Sequence, residues 1–316
     1  MIVSNSAKSV WAVVVTYNRP ELLRRSIDAI QAQTRRPDGI LVVDNASDEP
    51  ARHVLASYGG LDHIRVQKNA GGAGGFYLGM KSAFEKGAGA VWLMDDDGAP
   101  DPDGLENLLQ SAGEKPIILN PLVVNQDVPD ELSFGLDVGP KLVFSVSEAR
   151  ERATDGVLLG PANAFNGTLI TAAAYERVGD IKFECFIWGD EAEYILRAGR
   201  AGIAVGTAVN SIHRHPAPKA SMVNLGPLGT IKVCPPQRAH YHYRNLGYLM
   251  RTYGGLTKAV AKGIVHFGYY GLTGQFSEAG KFVRYYLDGA RDKYALAPSR
   301  DELRAMTEAK AIDAEV

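Results

Sequence analysis

The first hundred residues alternate short apolar runs with segments of helical length and pattern. Residues 10–15 form a continuous run rich in valine, and runs at 39–44, 63–66 and 90–94 follow at intervals. Such runs are typical of strands buried on both faces of a sheet. Segments 21–33 and 75–87 are predicted to be helices. Strands separated by helices of this length predict right-handed crossovers and a mostly parallel sheet, so the expected fold class is α/β.

Polar side chains follow three of these runs at the point where each run ends. Thr16-Tyr17-Asn18 ends the first, Asp44-Asn45 the second, and Asp95-Asp96-Asp97 the last. Ligands of parallel sheets bind beyond the carboxyl ends of the strands. Three adjacent carboxylates repel one another, and Mg²⁺ or Mn²⁺ would relieve that repulsion. The alternative is a solvated acidic turn that caps the next helix.

Composition narrows the class of protein and its compartment. With 316 residues, 46% hydrophobic and 22% charged, the chain suits one large or two modest domains. The formal net charge of −2 gives no argument for a nucleic-acid partner. Cys185 and Cys234 form no disulfide framework, which fits a reduced cytoplasmic setting. Residues 1–8 are too polar for a signal peptide, and no apolar stretch approaches the roughly 20 residues of a spanning helix.

Further segments complete the expected organisation. Residues 117–159 are predicted to be loops and short strands, and 165–170 and 204–209 to be strands. Helices are expected at 172–178 and 190–201 and through most of the C-terminal third, with 312–316 frayed. We therefore expect a catalytic domain over 1–225, with nucleotide binding at about 8–115 and an acceptor part at about 116–225. A mainly helical region would cover 226–316.

Four other motifs carry chemistry. The loop Asn69-Ala70-Gly71-Gly72-Ala73-Gly74-Gly75 precedes a helix and suits either close approach to an anion or a tight turn. Carboxylates in Trp188-Gly189-Asp190-Glu191 open a helix, where they suit a positioned base or an N-terminal cap. In His213-Arg214-His215-Pro216 an imidazole could join a metal site or be structural. The fourth motif contains His240, His242, Arg244 and Asn245, and it suits a phosphate-bearing ligand or the polar face of an amphipathic helix.

Five of these motifs, in their order along the chain, resemble family 2 inverting glycosyltransferases with the GT-A fold. They are Thr16-Tyr17-Asn18-Arg19-Pro20, Asp44-Asn45, the glycine loop, Asp95-Asp96-Asp97-Gly98 and Asp190-Glu191. The resemblance covers about residues 10 to 250. Within the family, the glycine loop, Trp188 to Glu191, His215-Pro216 and Tyr243-Arg244-Asn245 look most like bacterial galactofuranosyltransferases. Rhamnosyltransferases that use dTDP-rhamnose are the close second.

The resemblance implies a UDP-sugar donor, with UDP-galactofuranose as the leading expectation and dTDP-rhamnose as the alternative. Thr16, Tyr17, Arg19 and Asp44 would contact the nucleotide, and Asn69, Gly71 and Gly72 would line the donor pocket. Asp97, Asp95 and His215 would form the metal site for Mn²⁺ or Mg²⁺. Asp95 would also approach the ribose or sugar, with Asp96 in support.

The resemblance also implies the catalytic base and the acceptor. The acidic pair Asp190-Glu191 would supply the base, with Glu191 favoured by register. Because related enzymes often have aspartate there, Asp190 stays the alternative. The acceptor would be a cell-surface glycan, on a polyprenyl diphosphate or another carrier, and its hydroxyl would displace UDP with inversion.

Basic and aromatic residues alternate through the C-terminal third, among them Lys258, Lys262, Tyr269, Arg284 and Tyr285. This pattern fits peripheral contact with the inner face of the plasma membrane. A helix packed on the catalytic domain and an interface of a homo-oligomer fit equally. Two alternatives of another kind are a sugar-phosphate nucleotidyltransferase, for which a glycine-rich loop with a cation is missing after the first strand, and a non-catalytic sugar-binding module.

Overall fold

A computed structural model describes residues 9–139, 142–160, 162–217, 221–295 and 297–308. Residues 1–8, expected to be too polar for a signal peptide, and residues 312–316, expected to fray, lie outside the described residues. Within those residues, no helix is both long and apolar enough to cross a membrane. The elements are, in chain order, β1 (Val10–Thr16), α1 (Pro20–Gln31), β2 (Gly39–Asp44), α2 (Glu49–Ala56), β3 (Asp62–Val66), α3 (Gly71–Glu85), β4 (Ala90–Asp95), β5 (Ala99–Pro100), α4 (Gly104–Ala112), β6 (Ile117–Asn125), β7 (Glu131–Asp137), β8 (Leu142–Ser145), α5 (Val146–Glu151), β9 (Val157–Leu159), β10 (Asn166–Thr171), α6 (Ala172–Val178), α7 (Asp190–Arg200), β11 (Ala204–His215), β12 (Ser221–Asn224), β13 (Thr230–Val233), α8 (Ala239–Leu249), α9 (Gly255–Leu272), α10 (Phe276–Ala290), α11 (Arg300–Ala305) and β14 (Thr307–Glu308).

One central sheet runs in the order β14-β3-β2-β1-β4-β10-β6-β11-β5. The strands β3, β2, β1 and β4 are parallel, and β6 and β11 are parallel to each other. The strand β10 is antiparallel to both β4 and β6, between which it lies. The expectation of a mostly parallel α/β sheet followed by C-terminal helices is thus confirmed.

Both faces of β1 are buried, as its valine-rich sequence predicts. Val13 and Val15 pack toward α3, and Ala12 and Val14 pack into the separate core that includes α1. The helix α3 lies very close to the sheet, because a Cβ at Gly75 would come within 2.5 Å of Val15 Cγ1. The glycines of this helix therefore serve packing as well as the loop before it, and α3 begins at Gly71 rather than at the expected residue 75.

The segment 117–159 is more regular than expected. Its first part, β6, is a fully buried strand of nine residues within the central sheet. Pro121 obscures this strand in the sequence because proline cannot donate a ladder hydrogen bond and is usually confined to edges and bulges. The register of β6 with β11 indeed shifts directly after Pro121, between Ala208 and Ile212.

The C-terminal helices α8, α9 and α10 enclose a small core of their own. Its members are mainly aromatic: Tyr243, Tyr270, Phe282 and Tyr286 pack there with Cys234, Ala239 and Ala279. The hydroxyl of Tyr243 reaches both the Tyr270 hydroxyl, at 2.8 Å, and a carboxylate oxygen of Glu278, at 2.7 Å. The expectation of C-terminal helices is confirmed, and the β12–β13 hairpin lies across the expected boundary at residue 225.

Candidate active site

The three aspartates lie where β4 ends, beside the end of β1. Thr16 Oγ1 donates to Asp96 Oδ2 at 2.7 Å. Arg19 Nη1 lies 3.0 Å from Asp96 Oδ1 and 2.8 Å from Asp97 Oδ2, so one guanidinium bridges two carboxylates. Parallel pairing of β1 with β4 sets Val15 opposite Asp95 and brings these groups together. The trio is therefore an organised cluster and not a solvated turn.

His215, the last residue of β11, reaches this cluster from a distant part of the sequence. The short strand β5 pairs with β11 directly after the trio, and Arg214 Nε and Nη2 bind both carboxylate oxygens of Asp101, at 2.6 and 2.8 Å. His215 Nε2 then lies 3.1 Å from Asp97 Oδ1, and its Nδ1 lies 2.6 Å from the Pro216 carbonyl oxygen. The strand β11 is six residues longer than expected, which is what carries His215 to the rim.

The tautomer of His215 follows from these contacts. A carbonyl oxygen only accepts, so Nδ1 carries a proton and Nε2 faces the carboxylate of Asp97. A lone pair on Nε2 would repel that oxygen unless a proton or a cation lies between them. An imidazole nitrogen fixed by a second hydrogen bond and a carboxylate oxygen form a donor set that suits Mn²⁺.

His213 has a different environment from His215. It is buried, and a Cβ at Gly98 would lie 2.0 Å from its Nε2. Burial, together with the neighbouring charge of His215, lowers the pKa of His213 to about 3. His213 is therefore a neutral packing residue, and its contact explains the glycine after the aspartates.

The three carboxylates differ in their proton affinity. Burial raises the pKa of Asp95 well above its usual range, and the charges of Asp97 and Asp96 raise it further. Burial also raises the pKa of Asp96, to about 6, against the opposing effect of Arg19. Burial opposes ionisation of Asp97 too, but the hydrogen bond and charge of His215 outweigh it and lower its pKa to about 2. Asp97 is thus the most readily ionised of the three.

The described residues contain no group of three or more His, Cys, Asp or Glu side chains arranged to hold a metal ion. Asp97 and His215 offer two protein ligands, which leaves most coordination positions to other oxygens. Mg²⁺ and Mn²⁺ sites that act on nucleotides commonly have this character, because substrate phosphates supply further ligands. Asp95, the third expected ligand, does not complete the set in this conformation.

The loops after β1 and β2 are joined by hydrogen bonds. The Asn18 N–H donates to Ser47 Oγ at 2.9 Å, and the Asp48 N–H donates to Asn18 Oδ1 at 2.6 Å. Asp44 is fully buried, with its carboxylate paired to Arg65 and accepting from the Ser47 N–H at 2.8 Å. Tyr17 is 44% exposed at the edge of the same loop.

The glycine loop contacts the segment that precedes the second acidic cluster. Gly71 has φ +75°, and a Cβ there would meet the Phe186 carbonyl oxygen at 2.1 Å. That oxygen accepts from the Ala73 N–H at 3.2 Å, and Asn69 Oδ1 accepts from the Gly71 N–H at 2.7 Å. Gly72 is half-exposed, with only the Phe76 ring near its missing side chain.

Asp190 and Glu191 open α7 and are hydrogen-bonded to each other. Glu191 Oε2 also accepts from the Gly189 N–H at 2.9 Å. Burial raises the pKa of Asp190 well above its usual range, and the charges of Glu191 and Asp95 add to the rise. Asp190 therefore keeps its proton to a higher pH than an ordinary aspartic acid and can donate it to Glu191. The charge of Glu191 adds to the rise in the pKa of Asp95, so the two acidic clusters lie within electrostatic reach of each other.

Glu193, one turn further along α7, points away from this pair. Its carboxylate binds Arg197 Nε and Nη2, both at 2.9 Å, and accepts from the Tyr253 hydroxyl at 2.7 Å. These contacts attach α7 to the turn before α9, so Glu193 is structural.

Arg244 and Asn245 hold the loop that carries the acids. The Asn245 side-chain amide lies 2.9, 3.0 and 2.9 Å from the carbonyl oxygens of Cys185, Ile187 and Trp188. Arg244 Nη2 donates to the carbonyls of Glu184 and Cys185, at 2.9 and 3.0 Å. Both side chains are buried, so their interpretation as ligands of a phosphate is wrong. This supporting role could not be predicted, because a side chain that donates to main-chain carbonyls requires no particular residue at the accepting positions.

This loop needs such support because its backbone is unusual. Phe186 and Trp188 have φ of 65° and 60°, a region that side chains other than glycine seldom adopt. Gly189 follows with φ 126° and serves as the N-cap of α7. The strained conformation persists only if surrounding contacts fix it, and it aims the start of α7 at the aspartate cluster.

Comparisons with known proteins agree with this geometry. The model of "Glycosyl transferase family 2" matches residues 11–134. Galactofuranosyltransferase GlfT1 of Mycobacterium tuberculosis is 36% identical over 296 residues, which are 91% of this chain and 97% of that protein. The dTDP-rhamnosyl transferase RfbF of Shigella flexneri is 25% identical over 77% of this chain and 80% of its own.

Among solved structures, GalNAc-T7 crystallised with UDP, GalNAc and Mn²⁺ superposes with a TM-score of 0.57 at 16% identity. The superposition covers 78% of this chain and 49% of that one, so this chain spans about half of the neighbour's length. At this identity the likeness is one of fold, and it supports the expected GT-A architecture.

Proposed function

The chain belongs to glycosyl transferase family 2, and we propose that it transfers galactofuranose from UDP-galactofuranose to a glycan acceptor. Glycosyltransferase activity itself follows from the family and from the relatives that cover nearly the whole chain. The choice of galactofuranose rests on the galactofuranosyltransferases at 35–36% identity, against 25% for the rhamnosyltransferase.

The single observation that carries the mechanism is the 3.1 Å approach of His215 Nε2 to Asp97 Oδ1 at the rim of the sheet. We assign Asp97 and His215 as ligands of Mn²⁺ or Mg²⁺, with Asp95 near the ribose or sugar and Asp96 in support. When bound, the cation would offset negative charge on the departing diphosphate. Thr16 and Arg19 keep Asp96 and Asp97 in place, while Tyr17, Asp44 and the loop of Asn69, Gly71 and Gly72 would border the nucleotide sugar.

The acidic pair supplies the base. Glu191 is the better candidate, because the buried Asp190 retains and donates a proton while Glu191 accepts from the Gly189 N–H. The acceptor hydroxyl oxygen forms a bond to the anomeric carbon as the bond from that carbon to the diphosphate oxygen breaks. The hydroxyl proton passes to the Glu191 carboxylate, UDP leaves, and configuration inverts.

We further propose that the acceptor is lipid-linked and that the enzyme acts at the cytoplasmic face of a membrane.

A thermal-shift screen of nucleotide sugars in the presence of Mn²⁺ tests the donor. A ligand that binds only the folded state raises the melting temperature, by an amount that depends on its affinity. We expect UDP-galactofuranose to stabilise the protein and dTDP-rhamnose to leave it unchanged. Stabilisation by dTDP-rhamnose alone would replace the galactofuranosyltransferase with the rhamnosyltransferase.

A further inference from the structure

The hairpin of α9 and α10 exposes apolar side chains on the outside of the molecule. Ile264 is 65% exposed, Phe276 75% and Leu272, the last residue of α9, 92%. The full set that we call the apolar face consists of Leu256, Val260, Ile264, Phe267, Leu272, Phe276, Val283 and Leu287. Single exposed apolar residues are ordinary, whereas a contiguous set of this size marks an interaction site.

The two helices run antiparallel and contact each other through their buried residues. The Tyr286 hydroxyl donates to the Ala259 carbonyl oxygen at 2.6 Å, and the His266 ring stacks on Phe282 at 5.0 Å. Later residues of α9 therefore contact earlier residues of α10, as in any antiparallel pair. Each helix buries one side against its neighbour and exposes a stripe of apolar side chains on another.

At 3.6 residues per turn, the stripe of each helix lies about 90° ahead of its buried contacts, in the sense of increasing residue number. On α9 the stripe is Leu256, Val260, Ile264 and Phe267, and on α10 it is Phe276, Val283 and Leu287. Viewed along one axis, residue order turns in opposite senses on two antiparallel helices that face each other. An equal rotation of about 90° from the contact side therefore places both stripes on the same side of the pair. The seven residues of the two stripes thus form one continuous surface, and Leu272 lies at its end, where α9 stops.

Cations lie beside this surface on α10. Arg284 and Arg291 are exposed, and within the described residues neither makes an ion pair with a carboxylate. Arg284 also lines a cleft of about 340 Å³, together with His240, Tyr243, Glu278, Lys281 and Tyr285. The Glu278 carboxylate is already engaged by the Tyr243 hydroxyl and by Lys281 Nζ at 3.4 Å, which leaves Arg284 as the cation of the cleft that has no carboxylate partner.

We propose that the apolar face and its arginine rim dock on the surface of an anionic lipid bilayer, with lipid phosphates bound by Arg284 and Arg291. An apolar stripe inserted at the headgroup boundary and cations at its edge are what interfacial helices combine. An anionic bilayer would cover the apolar side chains and also neutralise the charges of Arg284 and Arg291. A second copy of this apolar face would leave the arginines without counter-charges.

The helix that carries half of the docking surface also contacts the catalytic loop. The Phe186 ring stacks on Tyr241 at 4.5 Å, Tyr241 adjoins His240 at 4.0 Å, and His240 reaches Tyr285 of α10 at 5.4 Å. Tyr285 lies on the side of α10 away from the apolar stripe, so these rings connect the loop to the helix and leave the apolar face free for the bilayer. The docking does not depend on which sugar is transferred.

Vesicle flotation of the full chain tests the proposal without donor or acceptor, so its result is independent of the assigned activity. We expect the protein to float with phosphatidylglycerol-containing phosphatidylcholine vesicles and to stay at the bottom with phosphatidylcholine alone. The double change Ile264→Glu with Phe267→Glu should lower the partition coefficient by about 100-fold, because it removes apolar area and adds repelled charge. Arg284→Gln with Arg291→Gln should lower it by about 30-fold, near fivefold per cation.

Leu142→Glu is the matched control, since Leu142 is an exposed apolar residue on β8, outside the hairpin. It should float like the unmodified protein. If the double glutamate variant does not melt cooperatively, Phe276→Glu at the first position of α10 takes its place. Failure to float with either vesicle, equal flotation with both, or equal losses in the control would overturn the proposal. A dimer in light scattering that Phe276→Glu dissociates, with no flotation, would show instead that the face joins two copies of the chain.

Discussion

The N-terminal sheet and the C-terminal helices distribute their side chains in opposite ways. Around β1 and β4 the apolar residues are inside, and the carboxylates, Arg19 and His215 gather at the rim. In α8 to α10 the buried set combines an aromatic core with Arg244, Asn245 and His266, while eight further apolar side chains of α9 and α10 face outward. The difference fits the two tasks that we propose: the rim of the sheet would bind the donor and carry out the transfer, and the helices would fix the loop of Asp190 and Glu191 and present a docking surface.

The largest effect is expected from Glu191→Gln, which removes the proposed base. Because general-base catalysis contributes about 10²- to 10⁴-fold, we expect kcat for UDP release with acceptor to fall by about 10³-fold or more. Asp190→Asn should reduce kcat less, and it should displace the acidic limb of the pH–rate profile, because the buried proton shared with Glu191 is changed. Equal and full activity in both variants would refute the assignment of the acidic pair.

Glu193→Gln tests whether an acid on α7 outside the pair Asp190 and Glu191 contributes to stability only or also to catalysis. It removes the charge that pairs with Arg197 and one of the two acceptor oxygens, which leaves the Arg197 guanidinium without its counter-charge, so the free energy of unfolding should fall by about 3 kcal/mol. The pH–rate profile of the folded enzyme should not move. A shifted profile would mean that the catalytic role extends beyond Asp190 and Glu191.

Asp97→Asn tests the rim itself. Removing one charge-stabilising group from an active site typically lowers kcat by about 10²- to 10³-fold, and we expect that loss in UDP release at saturating Mn²⁺. Asp103→Asn is the control, because Asp103 is an exposed carboxylate at the start of α4 whose side chain makes no capping hydrogen bond. Similar losses in the two variants would attribute the effect to general surface charge.

Asn245→Ala asks whether the helical region positions the acids. Without the amide, the carbonyls of Ile187 and Trp188 lose this donor and that of Cys185 keeps Arg244, and a displacement of the reacting groups by about 1 Å can lower the rate by about 100-fold. We expect kcat to fall by about 10- to 100-fold with little change in the KM for the donor, and Arg251→Gln, an exposed change nearby, to have no effect. A loss of activity no larger than the loss of folded protein would make Asn245 merely structural.

The smallest effect concerns the pH dependence of stability in the helices. Burial lowers the pKa of His266 to about 4. An unfolded histidine titrates near 6.5, so below that pH the unfolded state binds a proton that the folded state does not, and stability is lost as the pH falls. Between pH 7 and 5, His266→Phe should remove about 2 kcal/mol of this loss, as measured by urea unfolding. Parallel stability curves for the two proteins would show that His266 does not contribute.

The two regions also differ in how far sequence predicts them. The ends of β1, β2 and β4 follow from continuous apolar runs, so the positions of Thr16, Asp44 and Asp95 at one rim could be inferred. The proximity of Asp97 and His215 was expected only through the family resemblance, because the pairing of β5 with β11 leaves no mark in the sequence. In α9 and α10 the apolar periodicity is visible, but which stripe is covered depends on three-dimensional packing.

The central claim is that the rim of the sheet holds the nucleotide diphosphate through a divalent cation at Asp97 and His215. Titration calorimetry of UDP with and without Mn²⁺, on the unmodified protein and on Asp97→Asn, tests it directly. We predict that Mn²⁺ tightens UDP binding by at least about tenfold in the unmodified protein and by less than about twofold in the variant. An equal gain from Mn²⁺ in both proteins would contradict the account.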